Sequence, residues 1–308
     1  MQIGVRNTTD FSNLTNEGCR FRIVSVSHLS EIEEEIKKGQ SQNQFDVEFA
    51  DQYFARFSYS PPIELKNAKS IIIVAMHRPP TRAVFHWKGI ARSFILPPTY
   101  TAYDEKRVRV EHLVAEAVGK DGYGVASTFL PLKLVAARSG LVEYGRNNIT
   151  YAQGMGSFMR LTAVYSDMPC ESDSWQDSKV MLRCSGCNLC RDACPTGAIS
   201  ADRFLLHAEK CLTYHNEKEA SIPFPAWIKP EWHNCIVGCM RCQAACPENR
   251  PFLSTIGETA EFSEEETKLL LKGIPVEQLP KVTLEKMKVL SLLDYYKELP
   301  RNLDALLG

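Results

Sequence analysis

The hydrophobic positions in the first half of the chain alternate between the period of a strand and the period of a helix. Residues 22–27 (RIVSVS) alternate as a strand does, and the β-branched run at 70–76 (SIIIVAM) is typical of a strand covered on both faces. Apolar residues recur at helical spacing over 106–119, and a helix is expected between Pro131 and Gly140. With further β-rich segments at 124–128 and 158–165, the pattern predicts an α/β sandwich.

The pattern changes twice more along the chain. Segment 78–104 is rich in proline and aromatic residues without a clear period, so we interpret it as a long, lid-like surface loop. From residue 167 cysteines and short polar loops dominate, and helical spacing returns after about 255 with a capping box at Ser263 and Glu266. The sequence therefore predicts an α/β domain over 1–166, a cysteine-rich domain over 167–255 and a helical C-terminal tail over 256–308.

The cysteines of the second region have the spacing of bacterial ferredoxins. Residues 184–195 read C-x2-C-x2-C-x3-C-P, in which three thiolates hold one [4Fe-4S] cube and the fourth binds a neighbouring cube. A second run at 239–247 has Ile236 in place of its leading cysteine, so its cube needs the lone Cys211. The crossing rule then assigns Cys184, Cys187, Cys190 and Cys246 to cluster 1, and Cys194, Cys211, Cys239 and Cys242 to cluster 2. The second region is thus predicted to be a bacterial-ferredoxin-like double [4Fe-4S] domain.

Other interpretations of the cysteines fit less well. Zinc ribbons also use C-x2-C pairs, but a structural zinc site closes with two such pairs, and runs that end in C-x3-C-P fit it badly. A disulfide framework is not expected in a chain of 308 residues that is 44% hydrophobic and can build an ordinary core. Cys19, Cys170 and Cys235 are interpreted as reduced, packed thiols, although Cys235 stays open as an alternative to Cys211 in cluster 2.

Charge and hydropathy narrow the class of partner. The 36 basic and 37 acidic residues give a formal charge of -1, so nothing global points to nucleic acid or to an anionic membrane. No apolar run is long enough to span a bilayer, and the first twenty residues contain neither an apolar signal region nor a twin arginine. We therefore expect a cytoplasmic protein without a membrane partner.

The order of these motifs resembles that of the epoxyqueuosine reductases, cobalamin-dependent enzymes related to reductive dehalogenases. The resemblance extends over about residues 60–255, through SIIIVAM, PLKLVAARSGLVEYGRNN, GMGSFMRL and, most specifically, the eight cysteines with CLTY at 211–214. It implies a corrinoid between the α/β domain and the cluster domain, with cluster 2 nearest the cobalt. By position, the resemblance suggests seven corrinoid contacts: Arg146, Asn147, Gly156, Ser157, Leu212, Thr213 and Tyr214.

The chain departs from this family where an aspartate is thought to donate a proton. Counting back from Gly140 places Ala126 at that position, and counting from Pro131 places Thr128 there. Neither side chain is an acid, so either another group serves or the chain catalyses a different reaction. The candidates for another donor are Tyr100, Tyr103 and Asp104.

Two functions of different classes follow. The first is a cytoplasmic oxidoreductase whose two cubes pass single electrons from a low-potential ferredoxin or flavodoxin to a corrinoid, for reduction of a small molecule or a modified nucleotide. The absent acid and the balanced charge disfavour tRNA as the substrate. The alternative is a ferredoxin-like electron-transfer protein that reduces a partner's cofactor and turns over no substrate of its own.

Overall fold

The fold is a mixed α/β arrangement, described here in a computed structural model that covers residues 9–308. Its strands are β1 (Arg20–Ser25), β2 (Ser70–His77), β3 (Thr81–Trp87), β4 (Ile90–Leu96), β5 (Val125–Ser127), β6 (Glu143–Tyr144), β7 (Thr150–Tyr151), β8 (Met159–Ser166) and β9 (Thr259–Phe262). Its helices are α1 (Ser12–Asn16), α2 (Leu29–Ser41), α3 (Val47–Phe54), α4 (Tyr103–Gly119), α5 (Leu132–Arg138), α6 (Leu189–Asp192), α7 (Leu212–Asn216), α8 (Arg241–Ala244), α9 (Glu264–Lys272), α10 (Lys281–Val289) and α11 (Leu299–Leu307).

A four-stranded sheet forms the core of the first region. Its order is β1-β2-β8-β5, and every neighbouring pair is antiparallel. Alternate residues of β2 enter two different cores: Ile71 and Ile73 pack with α2 and α5, whereas Ile72 and Val74 pack with α1 and α4. Because helices cover both faces, the continuous apolar run of β2 is buried throughout, as the sequence predicts.

The predicted lid-like loop over 78–104 is wrong. Strands β3 and β4, of seven residues each, form an antiparallel hairpin, and β9 pairs with β3 in parallel. Phe85 of β3 and Phe262 of β9 are fully buried and stack with their ring centroids 4.9 Å apart. The prolines that flank the hairpin hide its alternating pattern, and its third strand lies far away in the sequence.

The C-terminal region contains a strand as well as helices, which corrects the prediction of a purely helical tail. The predicted capping box is confirmed at the start of α9, where Ser263 Oγ accepts from Glu266 N and Glu266 Oε2 accepts from Ser263 N. Asn302 of α11 donates to the carbonyl oxygens of Asn216 and Ile236, at 2.9 and 3.0 Å, and so attaches the tail to the cysteine-rich region. The exact boundaries of the three regions stay a prediction.

None of the helices within residues 9–308 combines the length and the apolar character that a bilayer span requires.

Candidate iron-sulfur and cofactor site

The eight predicted ligand cysteines lie in two spatial groups. Cys190 is within electrostatic range of the other three cysteines predicted for cluster 1. Cys242 is likewise within electrostatic range of the other three cysteines predicted for cluster 2. Cys235 lies near Cys239 and Cys242, so the sequence alternative for the second group is also close to it. The cysteines of the described residues are all free of disulfide bonds.

Backbone and side-chain donors point at these sulfurs. The Arg146 backbone N–H lies 3.4 Å from Cys184 Sγ. Cys211 stands at the N-cap of α7, where the Thr213 hydroxyl and the backbone of Thr213 and Tyr214 lie near enough to oppose the rise in the thiol pKa that burial causes. Hydrogen bonds to thiolate sulfurs stabilise their charge and tune the potential of a cube.

The thiols of the second group are crowded by protein. Burial, together with the neighbouring Cys211 and Cys194, raises the pKa of the Cys239 thiol to about 11. Burial also raises the pKa of Cys242 and of Cys211. Thiols in such a place ionise at neutral pH when bound metal supplies positive charge, so the donor set fits a metal cluster.

The geometry differs from that of a single-metal site. Over residues 9–308, no three His, Cys, Asp or Glu side chains form a group that could hold one metal ion. In a [4Fe-4S] cube each thiolate binds a separate iron, so the four sulfurs stand apart around the cluster.

The turn between β6 and β7 contacts cysteines of both groups. Asn147 donates from Nδ2 to the Tyr151 hydroxyl at 2.9 Å and is nearly fully buried. The Asn147 side chain also bonds to Cys242 of the second group, and the Tyr151 hydroxyl bonds to Cys246 of the first. A continuous set of hydrogen bonds therefore connects the two groups through this turn.

Two of the residues suggested as corrinoid contacts, Gly156 and Ser157, instead contact another part of the protein. Gly156 has φ +56°, and a Cβ there would collide with Asn249 Oδ1. Ser157 donates from N to Asn249 Oδ1 and from Oγ to Gln243 Oε1, each at 2.8 Å. These contacts join the α/β domain to α8 and to the turn after Cys246, and a corrinoid role for Gly156 and Ser157 stays a prediction.

The other suggested corrinoid contacts lie beside the cysteines. Leu212 and Tyr214 are buried in α7, directly after Cys211, and the ring of Phe49 in α3 meets the Tyr214 ring edge-on at 6.0 Å. Arg146 also donates from Nη2 to the Cys184 carbonyl oxygen at 2.9 Å. Their role in holding a corrinoid likewise stays a prediction.

The candidates for a proton donor are dispersed. Asp104 is exposed on α4 and lies 3.5 Å from Arg107, and the side chain of Tyr103 is outside the described residues. Ala126 lies in β5 and pairs with Tyr165 of β8. The Thr128 hydroxyl donates to the Ala163 carbonyl at 3.0 Å. Tyr100 is the candidate that lies beside the cysteine site, because its ring packs against Gly238, the residue before Cys239.

Sequence reasoning missed two charged residues near Cys211. Glu217 accepts hydrogen bonds from Tyr100 and, at 3.0 Å, from Tyr53, and burial raises its pKa. Lys133 donates to the Asn148 carbonyl at 3.2 Å, and its side chain is exposed, yet surrounding protein lowers its pKa. Neither residue belongs to a motif, so no signal in the sequence identifies it.

One cleft of about 1350 Å³ opens elsewhere on the molecule. It lies between β1, the segment 151–156 and the segment 172–181. Gly156 borders this cleft, but none of the eight predicted ligand cysteines does. The cleft is therefore separate from the sulfur-lined site.

Comparison with known protein families identifies the class of protein to which the chain is similar. Residues 183–249 match the family described as a 4Fe-4S double cluster binding domain. This match confirms the prediction of two [4Fe-4S] clusters. The chain is therefore an iron-sulfur protein with a double-cluster domain beside an α/β domain.

Individual proteins make the resemblance more specific. An epoxyqueuosine reductase of Alicycliphilus denitrificans is 33% identical over 149 residues, which are 47% of this chain and 40% of that protein. An epoxyqueuosine reductase structure from Bacillus subtilis, described with its aspartate-bearing catalytic loop swung out of the active site, has 21% identity and a TM-score of 0.63, covering 94% of this chain and 77% of that one. Another, with an epoxyqueuosine-modified tRNA-Tyr stem loop, has 20% identity and a TM-score of 0.63, covering 94% and 76%.

These comparisons confirm the resemblance suggested by the motifs. The chain is similar in sequence to epoxyqueuosine reductases and has their fold. The sequence match spans less than half the length of the curated relative.

The turn that connects the two groups of cysteines leads to a testable prediction. Replacing Tyr151 by phenylalanine removes the hydroxyl that bonds to Cys246 and accepts from Asn147. Loss of a donor to a thiolate disfavours the more negative, reduced cube, so we expect a lower reduction potential for cluster 1. A redox titration followed by electron paramagnetic resonance measures this. Tyr123→Phe, at a half-buried tyrosine of the α/β domain, is the control, and equal potentials in both variants would contradict the prediction.

Proposed function

We propose that the chain is an oxidoreductase of the epoxyqueuosine reductase type, in which two [4Fe-4S] cubes deliver single electrons to a corrinoid that reduces a modified nucleoside. The observation that carries this proposal is the division of eight thiols into two groups of four beside the α/β domain. A protein that only transferred electrons to a partner would not need an α/β domain of this size. The comparisons with reductases also do not favour the electron-transfer alternative.

The proposed ligands follow the two groups. Cluster 1 is held by Cys184, Cys187, Cys190 and Cys246, and cluster 2 by Cys194, Cys211, Cys239 and Cys242. The Arg146 N–H supports the first set through Cys184, and the N-terminal backbone of α7 supports the second through Cys211. The turn that carries Asn147 and Tyr151 bonds to both sets and holds them in a fixed relation.

The region around Cys211 and Lys133 is the proposed place of the corrinoid. When bound, that group supplies a low-potential, nucleophilic metal centre. Thr213 and Tyr214 follow Cys211 directly, and Lys133 enters the same region as a positive charge without a carboxylate partner among the described ion pairs. In this proposal α7 positions the cofactor beside cluster 2, and Lys133 binds an anionic group of cofactor or substrate.

The substrate class is taken from the relatives. Epoxyqueuosine is a modified nucleoside, and one structure with this fold contains it in a tRNA-Tyr stem loop. The expectation that tRNA is disfavoured therefore has no support, and net charge alone is a poor guide because local basic side chains bind phosphates. Removal of an epoxide oxygen as water consumes two electrons and two protons, so the reaction needs a low-potential electron donor of the ferredoxin or flavodoxin class.

The test uses the full chain, reconstituted anaerobically with iron, sulfide and cobalamin. Epoxyqueuosine-containing tRNA stem loop is incubated with this protein and dithionite, and mass spectrometry follows the loss of one oxygen atom. We expect conversion by the unmodified protein and by Cys170→Ala, and none by Cys239→Ala, which lacks a proposed ligand. A protein that holds both cubes but no cobalt and leaves the nucleoside unchanged would overturn the proposal.

A further inference from the structure

A carboxyl group with two tyrosine donors lies at the end of the helix that begins at Cys211. Glu217 is the C-cap of α7 and is enclosed by α3 and by the turn at 98–100. Its Oε1 accepts from the Tyr100 hydroxyl, and its Oε2 accepts from the Tyr53 hydroxyl at 3.0 Å. Both tyrosines keep their protons at neutral pH, because burial raises the pKa of each.

The same carboxyl group is attached to the loop that carries Cys239. Gly238 has φ +74°, and a Cβ there would lie 2.5 Å from the Tyr100 ring, so this ring packs directly on the loop. Asn216, next to Glu217, donates to the Gly238 carbonyl at 2.7 Å. Tyr100 also lies within electrostatic range of Cys211. Glu217 is therefore close to the second set of thiols without touching it.

The surroundings of Glu217 both raise and lower the pKa of its carboxyl group. Burial raises the pKa of the carboxyl, and the hydrogen bonds from Tyr100 and Tyr53 lower it. The titratable and charged groups that face it are Tyr53 of α3, Tyr100, and Tyr295 and Glu298 of the tail, with Arg160 next to Tyr295. An electron added to the neighbouring cube is a further negative charge, which favours the protonated carboxyl.

We propose that Glu217 takes up one proton when cluster 2 is reduced and stores it. Glu217 thereby replaces the acid that is absent at Ala126 and Thr128. In this step a low-potential donor loses one electron, the cube gains it, and an O–H bond forms on the carboxylate with a proton from water. Of the two tyrosine donors, Tyr53 is half-buried and Tyr100 is buried. The inference rests on the proposed function, since it requires cluster 2 at the second set of thiols.

A redox titration of the full chain with both cubes tests the inference without any substrate. Electron paramagnetic resonance follows the reduction of each cube between pH 6 and 9. A one-electron couple that takes up one proton changes by about 59 mV for each tenfold change in proton concentration. We expect one of the two potentials to approach this slope over part of the range and the other to be flat.

Three variants decide the origin of the slope. Glu217→Gln should flatten it, whereas Glu219→Gln, at an exposed carboxylate paired with Lys297, should leave it unchanged. Tyr53→Phe keeps the carboxyl but removes a donor that lowers its pKa, so the sloping range should move to higher pH. This variant decides the question if Glu217→Gln does not assemble its cubes.

The possible failures are distinct. Two flat potentials in the unmodified protein, an unchanged slope in Glu217→Gln, or an unmoved range in Tyr53→Phe would overturn the inference and leave the proposed function standing. A protein that binds no second cube would overturn the proposed function, and the inference with it.

Discussion

Replacing Cys211 by alanine is expected to reduce the iron content from about eight to about four atoms per chain, because one [4Fe-4S] cube is lost and the other is retained. Cys211 is the member of the second set that comes from neither cysteine run. The Thr213 hydroxyl and the backbone of Thr213 and Tyr214 lie near its sulfur at the start of α7. Iron and sulfide analysis, with the resonance spectrum of the reduced protein, measures the loss.

The matched control is Cys235→Ala. Cys235 is 1% exposed and lies near Cys239 and Cys242, which makes it the nearest competitor for the second cube. We expect this variant to keep about eight irons, because the ferredoxin spacing of the other ligands is complete with Cys211. If Cys235→Ala loses one cube and Cys211→Ala retains both, then Cys235, and not Cys211, is the fourth ligand of the second cube.

The sequence predicts those parts of the fold whose pattern is local. Strand β2 was identifiable because its apolar run is continuous, and α9 because Ser263 and Glu266 form a capping box within one turn. The hairpin of β3 and β4 was missed because the flanking prolines hide its alternating pattern, and because its third strand, β9, lies far away in the sequence.

The same distinction applies to the candidate site. Cysteine ligands within one run are two or three residues apart, so their spacing alone predicts a cluster. Glu217 acquires its environment from Tyr53 and Tyr100, which lie more than a hundred residues earlier in the chain. Only the folded structure brings these three side chains together, and the family resemblance did not include Glu217.

One buried amide makes several of the hydrogen bonds between the α/β domain and the cluster domain. Asn249 is fully buried three residues after Cys246. Its Oδ1 accepts from Ser157 N at 2.8 Å, and its Nδ2 donates to Ser157 Oγ and to the Gln243 carbonyl, each at 2.9 Å. Each of these bonds joins groups that have no access to water, so their partners would be left unsatisfied without the amide.

Replacing Asn249 by alanine is therefore expected to lower the free energy of unfolding by about 3 kcal/mol, about 1 kcal/mol for each lost hydrogen bond. The thermal midpoint of the anaerobic protein with its cubes should fall by several degrees. Glu248→Gln is the control at the adjacent residue, since it removes an ion pair with the exposed Arg183 and should cost less than about 1 kcal/mol. If the two variants melt at the same temperature, the amide does not hold the domains together, and the fixed distance between the sheet and the cubes must depend on other contacts.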